Sequence, residues 1–420
     1  MKNRAALRLL LLSNIISGFA QGISMLSIPW YFSTQSEDYA TFGTVYIIIT
    51  LSTALWGLYV GTLIDKYSRK AIFTAVNIFG CLILLSVAAV GFNMGKVPDV
   101  LIYLVFGSTI FIYNVHYPCL YAFGQEISEK ENYGKMNSLI EIQGQATAIF
   151  AGAIGAILLS GTENGIVNLM GFNLELGFDL QKWSLHEIFL MDGITYGISI
   201  LLISSIRYEK IENLVVHTGN MWVRLKMGLK WLKEHPLVFL FGNLSHSIFV
   251  ILLVEVHLLL SPYISRHLEA KGDVYASAEI YYAIGALYAG FGIRKLFSHM
   301  NAVKAIILLM LITSFFLCLV AFTKSAWIFF LFSLVIGITN AGTRILRITW
   351  IFNRIPNNMM GRAGSVFQTV NILLRGIFIL IFSLPFFMKG NNIVWAYFIG
   401  GIFIFLSAIP MIMRYKDLKE

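Results

Sequence analysis

Long apolar runs, separated by short polar and basic stretches, dominate the hydrophobic pattern of this chain. A helix needs about 20 mainly apolar residues to cross the hydrocarbon core of a bilayer. Twelve runs meet that requirement, near residues 9–32, 42–63, 71–92, 98–122, 137–160, 187–206, 237–260, 276–293, 303–322, 325–347, 363–388 and 393–413. The pattern therefore predicts an all-α polytopic membrane protein with twelve transmembrane helices.

Basic residues are distributed unevenly among the connections between these runs. If the N-terminus is cytoplasmic, the connections on its side contain 22 Lys and Arg residues, the opposite connections contain 6, and three arginines lie within spans. Lys and Arg are enriched in cytoplasmic connections of membrane proteins. We therefore predict that both termini are cytoplasmic, and we attribute the net charge of +9 to this bias rather than to nucleic-acid binding.

The longest internal connection, 207–236, divides six spans from six. Within it, apolar and basic residues alternate at helical spacing over 221–233, a pattern typical of an amphipathic helix at a cytoplasmic lipid surface. We predict an N-terminal six-helix bundle over 1–206, a cytoplasmic linker over 207–236 and a C-terminal six-helix bundle over 237–420. The largest outer connection, 161–186, is rich in Gly and Asn, and we expect a short interfacial helix there with no chemical role.

Composition excludes several other classes of protein. Charged residues make up 13% of the chain, against about 25% in soluble domains. The basic N-terminus resembles a signal peptide, but its apolar run continues to Phe32 and is better interpreted as the first span. Cys81, Cys119 and Cys318 lie in apolar runs without CxxC spacing, so we expect neither a disulfide nor a metal site, and no cofactor.

The connection between the second and third spans carries a longer motif. It reads Gly-Thr-Leu-Ile-Asp-Lys-Tyr-Ser-Arg-Lys over residues 61–70 and resembles the signature loop of the major facilitator superfamily, at the position where that family has it. The resemblance implies that fold and a cytoplasmic latch of Gly61, Asp65, Arg69 and Arg362, in which Asp65 faces Arg362 at the start of span eleven. The alternative is a solvated turn whose charges only orient the chain. In the corresponding connection of the second half, Arg294 stands where an equivalent of Asp65 is expected. A second latch at that position has therefore lost its acidic residue.

Four shorter stretches are similar to the exporter branch of that superfamily, which includes macrolide efflux proteins and the enterobactin exporter. They cover residues 133–139, 188–196, 228–236 and 361–367. This resemblance implies efflux by alternating access in a bacterial cytoplasmic (inner) membrane, with siderophore export and antiport as expectations. Two features depart from proton antiporters of the family: span four has no arginine, and residues 151–156 read Ala-Gly-Ala-Ile-Gly-Ala without proline.

Polar residues within spans are costly and usually face a cavity or a partner. In span eleven, Gln368, Asn371 and Arg375 share one helical face, and Arg375 lies about 18 Å along the helix from Ala363, near the midplane. We interpret Arg375 as a cavity-lining cation, with a buried ion pair as the alternative. Arg344 and Arg347 near the inner end of span ten either line the inner vestibule or snorkel to the interface.

Other spans supply neutral and acidic candidates for the cavity. We assign to it Asn14, Gln21, Tyr113, Asn114, Tyr117, Glu141, Gln145 and His246. Packing is the alternative for the tyrosines, as it is for most aromatic residues in spans. Candidates for coupling to an ion, with a proton expected, are Glu141, Asp192, Glu255 and His246. For Glu255 the alternative is a structural carboxylate.

The three arginines within spans favour an anionic or oxygen-rich substrate, because guanidinium groups bind carboxylates in a bidentate manner. A siderophore or drug-like molecule fits, and transport of a lysolipid or other amphiphile is the alternative. The chain contains no GxxxxGK[ST], HExxH or GxSxG motif, so we predict a secondary transporter and not an enzyme; a non-transporting scaffold or sensor is a further possibility. Expected partners are a small molecule, a coupling ion and membrane lipid, with the protein a monomer.

Overall fold

The computed structural model describes residues 4–36, 39–129, 132–207 and 221–419, and these ranges are almost entirely helical. The first half contains α1 (Arg4–Thr34), α2 (Tyr39–Lys66), α3 (Arg69–Met94), α4 (Asp99–Glu126), α5 (Tyr133–Ser160) and α6 (Leu185–Ser204). Then follow α7 (Met221–Glu234), α8 (Pro236–Leu244), α9 (Ser247–Val254), α10 (Leu260–Pro262), α11 (Gly272–Leu296), α12 (Ala302–Val320), α13 (Ala326–Phe352), α14 (Asn357–Phe382), α15 (Pro385–Met388), α16 (Ile393–Met413) and α17 (Tyr415–Lys419).

The long helices coincide with the predicted spans. Within the described ranges, 11 helical segments are long and apolar enough to cross a membrane, which confirms the prediction of a polytopic all-α membrane protein. The remaining predicted span, 276–293, lies in the long helix α11 and is less apolar because it contains Glu279 and three tyrosines. Most ends fall within a few residues of the predicted ones, since caps extend the helices beyond the apolar runs.

Local sequence explains several helix ends. Ser68 accepts a hydrogen bond from the Ala71 amide at the start of α3, and Gly95 ends that helix in the left-handed conformation, with φ of 71°. At the start of α6, Ser184 and Glu187 form a capping box. These caps satisfy backbone groups that the membrane interior could not solvate.

Span seven is interrupted, which the apolar pattern does not reveal. The segment Pro236–His267 meets the criteria for a span, yet it consists of α8, a turn at Ser245–His246, α9, and two π-helical stretches, Glu255–Leu259 and Tyr263–His267. A break in a helix frees backbone carbonyls, and π-helical turns are frequent at functional sites. This span therefore carries polar backbone groups into the apolar region.

The expectation of a short interfacial helix within 161–186 is wrong. Two short strands, β1 (Ile166–Leu169) and β2 (Phe172–Glu175), form a hairpin there instead. The two residues between them, Met170 and Gly171, have φ of 58° and 85°, which is the backbone that the tightest hairpin turns require and a helix excludes.

The chain divides into two compact units. The first comprises residues 1–35, 55–169 and 173–218, and the second comprises 36–54, 170–172 and 219–420. The first half of α2 and the tip of the hairpin thus belong to the second unit. The predicted division into bundles at 206 and 237 stays a prediction.

The first unit packs α1, α3 and α6 together, with α4 and α5 alongside. A core of fully buried side chains includes Leu10, Phe73, Leu120 and Phe123. On other faces of the same helices, large apolar side chains such as Leu82 and Leu201 are exposed. Apolar surface of this kind is expected of helices that face lipid.

The second unit contains a very close helix pair, α11 with α13. A Cβ added to Gly285 of α11 would lie 2.1 Å from the Leu334 carbonyl oxygen, and one added to Gly337 of α13 would lie 2.1 Å from the Tyr282 carbonyl oxygen. The two glycines therefore let the two backbones approach each other directly, as small residues do in membrane helix pairs.

Candidate functional site

Arg375 of α14 lies in the second unit beside groups from two other elements. Its charge acts on Tyr46, from the first half of α2, and on His257, from the π-helical stretch of span seven. The Tyr46 and His257 rings are 5.5 Å apart, and both side chains donate hydrogen bonds to the Leu253 carbonyl, at 3.1 Å and 3.0 Å. Within the described ranges, the buried Arg375 Nε atom has no hydrogen-bond partner, and no carboxylate forms a salt bridge with Arg375. A cation without a protein counter-ion is suited to bind an anion.

Arg347 of α13 occupies the break in span seven. Its side chain is buried, and its Nη1 atom donates a 2.9 Å hydrogen bond to the Ser245 carbonyl at the end of α8. The bond satisfies a carbonyl that the interrupted helix leaves free, and it puts positive charge at the negative end of a helix dipole. The Ser245 and Ser247 hydroxyls beside the break are buried and find no hydrogen-bond partner among the described residues. His246, in the break, donates through Nδ1 to the Gly242 carbonyl.

A buried carboxyl group lies at the first π-helical stretch of span seven. Glu255 is 4% exposed, and its Oε1 atom accepts a 3.0 Å hydrogen bond from the Tyr397 hydroxyl of α16. Glu279 of α11 is near enough to Glu255 for their charges to interact. Neither carboxylate forms a salt bridge with a described residue. The pair therefore concentrates negative charge that a proton or another cation would neutralise.

The first unit contains two buried polar groups of different character. Asn14 of α1 accepts a 2.7 Å hydrogen bond from His116 Nε2 of α4, so these two groups satisfy each other. Asp192 of α6 is fully buried, with Ser24 of α1 next to it, yet neither carboxylate oxygen has a hydrogen bond of acceptable geometry within the described part of the chain. Buried polar groups are usually satisfied, so Asp192 stands out as a group available for a further ligand.

The other predicted cavity residues of the first unit are less enclosed. Glu141 is exposed and accepts a 2.6 Å hydrogen bond from the Tyr121 hydroxyl. Tyr113 is exposed and contacts Tyr117, whose ring is 4.4 Å away, while Asn114 donates to the Ile110 carbonyl of its own helix. Gln21 and Gln145 are half-buried. Asn14, by contrast, is held by a buried hydrogen bond to another helix.

The predicted cavity residues on α13 and α14, in the second unit, also differ in how exposed they are. On α14, Asn371 and Arg375 are half-buried, whereas Gln368 is exposed. On α13, Arg344 is exposed but close enough to Arg347 for their charges to interact. Of these residues, Arg347 and Arg375 therefore have the most enclosed charged groups.

The proposed latch is described only in part. Arg69 forms a 3.7 Å salt bridge with the buried Glu126 at the end of α4, and Arg362 donates to the Met359 sulfur at 3.4 Å. The Asp65 side chain and the surroundings of Gly61 lie outside the described residues. The Asp65–Arg362 latch thus stays a prediction.

Sequence reasoning missed Glu279, Tyr397 and Tyr46 as site residues. Glu279 had a usable signal, because an acidic residue within an apolar span is costly. The two tyrosines had none, since tyrosine is common in spans and only their hydroxyl contacts distinguish them. Within the described ranges, no group of three or more His, Cys, Asp or Glu side chains is placed to hold a metal ion.

Long apolar helices with buried arginines and carboxyl groups, together with an interrupted span, are the features of a membrane transport protein as a class. Residues 10–379 match the family model described as Major Facilitator Superfamily. The chain belongs to this superfamily, and it is accordingly a secondary transporter rather than an enzyme. A search of curated protein sequences found no match.

Solved structures of similar fold are numerous, and three of them show the range. A mutant of the nucleoside transporter NupG shares 14% identity, with 98% of this chain and 99% of that chain covered and a TM-score of 0.71. A D-xylose-proton symporter shares 13%, covering 98% and 97%, with a TM-score of 0.71. A bacterial homologue of the iron transporter ferroportin, in an inward-facing state, shares 14%, covering 97% and 98%, with a TM-score of 0.69. Likeness at this identity shows the fold alone.

Proposed function

We propose that this protein exports a small anionic or oxygen-rich molecule, of the siderophore or drug-like class, across a bacterial cytoplasmic membrane by alternating access. The observation that carries the proposal is Arg375, a span residue with a buried, unsatisfied Nε atom and no salt bridge within the described ranges. Arg347 at the break in span seven adds a second cation, which is buried. Two cations without a counter-ion among the described residues favour a substrate that supplies the negative charge.

The names of the similar structures do not select a substrate. Nucleosides, xylose and iron, which those names mention, differ in charge and size, so the substrate class rests on the residues of this chain. Resemblance of four short motifs to exporters supports the outward direction. The excess of basic residues on alternate connections supports cytoplasmic termini.

We propose a proton as the coupling ion, bound alternately at the buried carboxyl groups. Asp192 in the first unit and Glu255 in the second are buried, Glu279 beside Glu255 is half-buried, and none of the three forms a salt bridge in the described ranges. An ionised carboxylate in such surroundings needs a cation, and a proton is the smallest one available. Span four lacks the arginine that proton antiporters of the family usually have, so we assign proton binding to these carboxyl groups instead.

Counterflow in liposomes tests the substrate class. Purified protein is reconstituted without ATP, and entry of labelled citrate, 2,3-dihydroxybenzoylserine, uridine or lysophosphatidylglycerol is measured against an excess of the same compound inside. We expect counterflow of an anionic, oxygen-rich probe, with Arg375→Ala reducing kcat/KM by about 10- to 100-fold and Arg375→Lys by less, because a charge-assisted contact is lost. Arg414→Ala is the matched control, since Arg414 is exposed and pairs with Asp417 outside the span.

Three outcomes separate the candidates. Loss of counterflow in Arg375→Ala but not in Arg414→Ala supports the proposal. If lysophosphatidylglycerol shows counterflow and citrate and 2,3-dihydroxybenzoylserine do not, the protein is an amphiphile transporter. Equal rates in both variants refute a role of Arg375 in substrate binding. For coupling, Glu255→Gln should abolish uptake driven by a pH gradient while preserving counterflow, which needs no net proton movement.

A further inference from the structure

A cleft of about 130 Å³ lies in the first unit, and none of the candidate cavity and coupling residues lines it. It forms where the α3–α4 and α5–α6 connections meet the end of α1, on the side that the distribution of basic residues predicts to be outside the cell. Its lining includes Trp30, Tyr31, Lys96, Lys182 and Trp183. These residues combine positive charge with aromatic surface.

The charge of the lining is not balanced from within the described protein. Lys96 and Lys182 contribute two positive charges, and none of the described residues that line the cleft is Asp or Glu. Neither lysine forms a salt bridge or a hydrogen bond with any residue that the structure describes. The cleft is therefore electropositive and open to an anionic ligand.

Two acidic side chains that adjoin lining residues are already engaged. Glu187 accepts hydrogen bonds from the Ser184 amide and hydroxyl, both at 2.7 Å, as part of the cap of α6. Asp99 accepts one from the Tyr31 hydroxyl at 3.1 Å. These bonds hold the carboxylates to fixed protein donors, so the lysines are left for a ligand.

The surroundings of the cleft indicate lipid rather than a soluble anion. Trp30, Tyr31 and Trp183 are residue types that concentrate at the level of lipid headgroups. Beside Lys96, the apolar side chains of Met94 and Val100 are 61% and 75% exposed. A lipid could lay its acyl chains on this apolar surface while its headgroup reached the lysines.

We propose that this cleft binds the phosphate group of an anionic phospholipid, with Lys96 and Lys182 as the ligands and Trp183 beside the glycerol backbone. The lipid is held as a resident partner of the first unit and is not the transported molecule. The inference does not depend on the substrate class proposed above. A bound headgroup would join the α3–α4 and α5–α6 connections by charge across the cleft.

Native mass spectrometry of the intact protein tests this site. Protein is extracted from nanodiscs of 80% phosphatidylcholine and 20% phosphatidylglycerol, and the phosphatidylglycerol retained per chain is measured. We expect Lys96→Gln with Lys182→Gln to lower retention by about tenfold, because two cations near an anionic headgroup are removed. The matched control is Lys324→Gln with Lys389→Gln, which removes the same charge from exposed positions in the second unit.

Two further arms decide the nature of the ligand. Lys96→Arg with Lys182→Arg should retain the lipid at the wild-type level, since the charge is kept. Inorganic phosphate at 10-fold excess should leave the lipid bound if headgroup and acyl chains act together. Equal retention in the Gln variant and its control overturns the proposal, and displacement by inorganic phosphate alone overturns the assignment to lipid.

Discussion

Replacing Gly337 by alanine should destabilise the second unit, because two helix backbones are in contact at this residue. The new Cβ would lie 2.1 Å from the Tyr282 carbonyl oxygen of α11 and 3.1 Å from the Ala286 amide nitrogen. Contacts of a Cβ below about 3.0 Å are essentially never seen, so the helices must separate by about 0.9 Å at this point. The obstacle is backbone, which cannot rotate away as a side chain would.

The size of the effect follows from two opposing contributions. Overpacking of a tight interior costs about 1–3 kcal/mol, whereas alanine is favoured over glycine within a helix by about 1 kcal/mol. We expect a net loss of up to about 2 kcal/mol, seen as a decrease in Tm of up to about 2 °C for a chain of this size. Gly285→Ala should behave alike, and the double variant should lose less than the sum because the first substitution already separates the helices.

The assay is thermal unfolding of the purified protein in detergent, followed by the fraction that remains monodisperse after heating. Gly290→Ala, on the same α11 helix, is the matched control, because nothing lies within 4 Å of its added Cβ. It should keep or slightly raise the Tm. If Gly337→Ala and Gly290→Ala unfold at the same temperature, the close approach of α11 and α13 is refuted.

Three further predictions use the same unfolding measurement or limited proteolysis. Arg347→Met should lower the free energy of unfolding by about 1–3 kcal/mol, because the Ser245 carbonyl loses its buried donor. Arg344→Met, at an exposed position, should cost less, and equal losses would contradict the role of Arg347 at the break. Asn14→Leu should lower the free energy of unfolding by about 1–3 kcal/mol, because it leaves the buried His116 imidazole without its hydrogen-bond partner. Adding His116→Leu should recover part of this loss, and additive losses would argue against the hydrogen bond. Gly171→Val should loosen the hairpin tip and speed protease cleavage there, because the residue has a φ of 85° and its Cβ would lie 2.7 Å from Trp327. Gly177→Val is the control, since Gly177 also has a positive φ but no atom lies within 4 Å of its added Cβ. Equal cleavage in both variants would count against the Trp327 contact.

Much of the fold can be predicted because a membrane imposes a simple rule on sequence. Every span needs a long apolar run, so these runs locate α1, α3 and α16 to within a few residues. The signature loop after α2 indicates the superfamily, which the family match confirms. The hairpin at 166–175 escapes prediction because its turn depends on backbone angles at Met170 and Gly171, and a non-glycine residue with positive φ carries little sequence signal.

The candidate site can be predicted in part. Charged residues within spans are conspicuous, so Arg375, Arg347, Asp192 and Glu255 can be selected from sequence. The break in span seven cannot, because Ser245 and His246 do not interrupt the apolar run enough to be seen. Exposure is also unpredictable: Arg344 and Arg347 are three residues apart, yet one is exposed and the other buried.

By itself the sequence determined that the chain crosses the membrane many times as helices, roughly where each helix begins and ends, and which superfamily the chain joins. These properties depend on local composition, because each span must satisfy its own backbone and its own apolar surroundings. Only the tertiary structure decided which polar groups have partners. Asn14 is satisfied by His116, 102 residues away, while Asp192 and the Arg375 Nε atom have no hydrogen bond of acceptable geometry within the described residues. Hydrogen bonding across such distances depends on how helices pack, which no local pattern encodes.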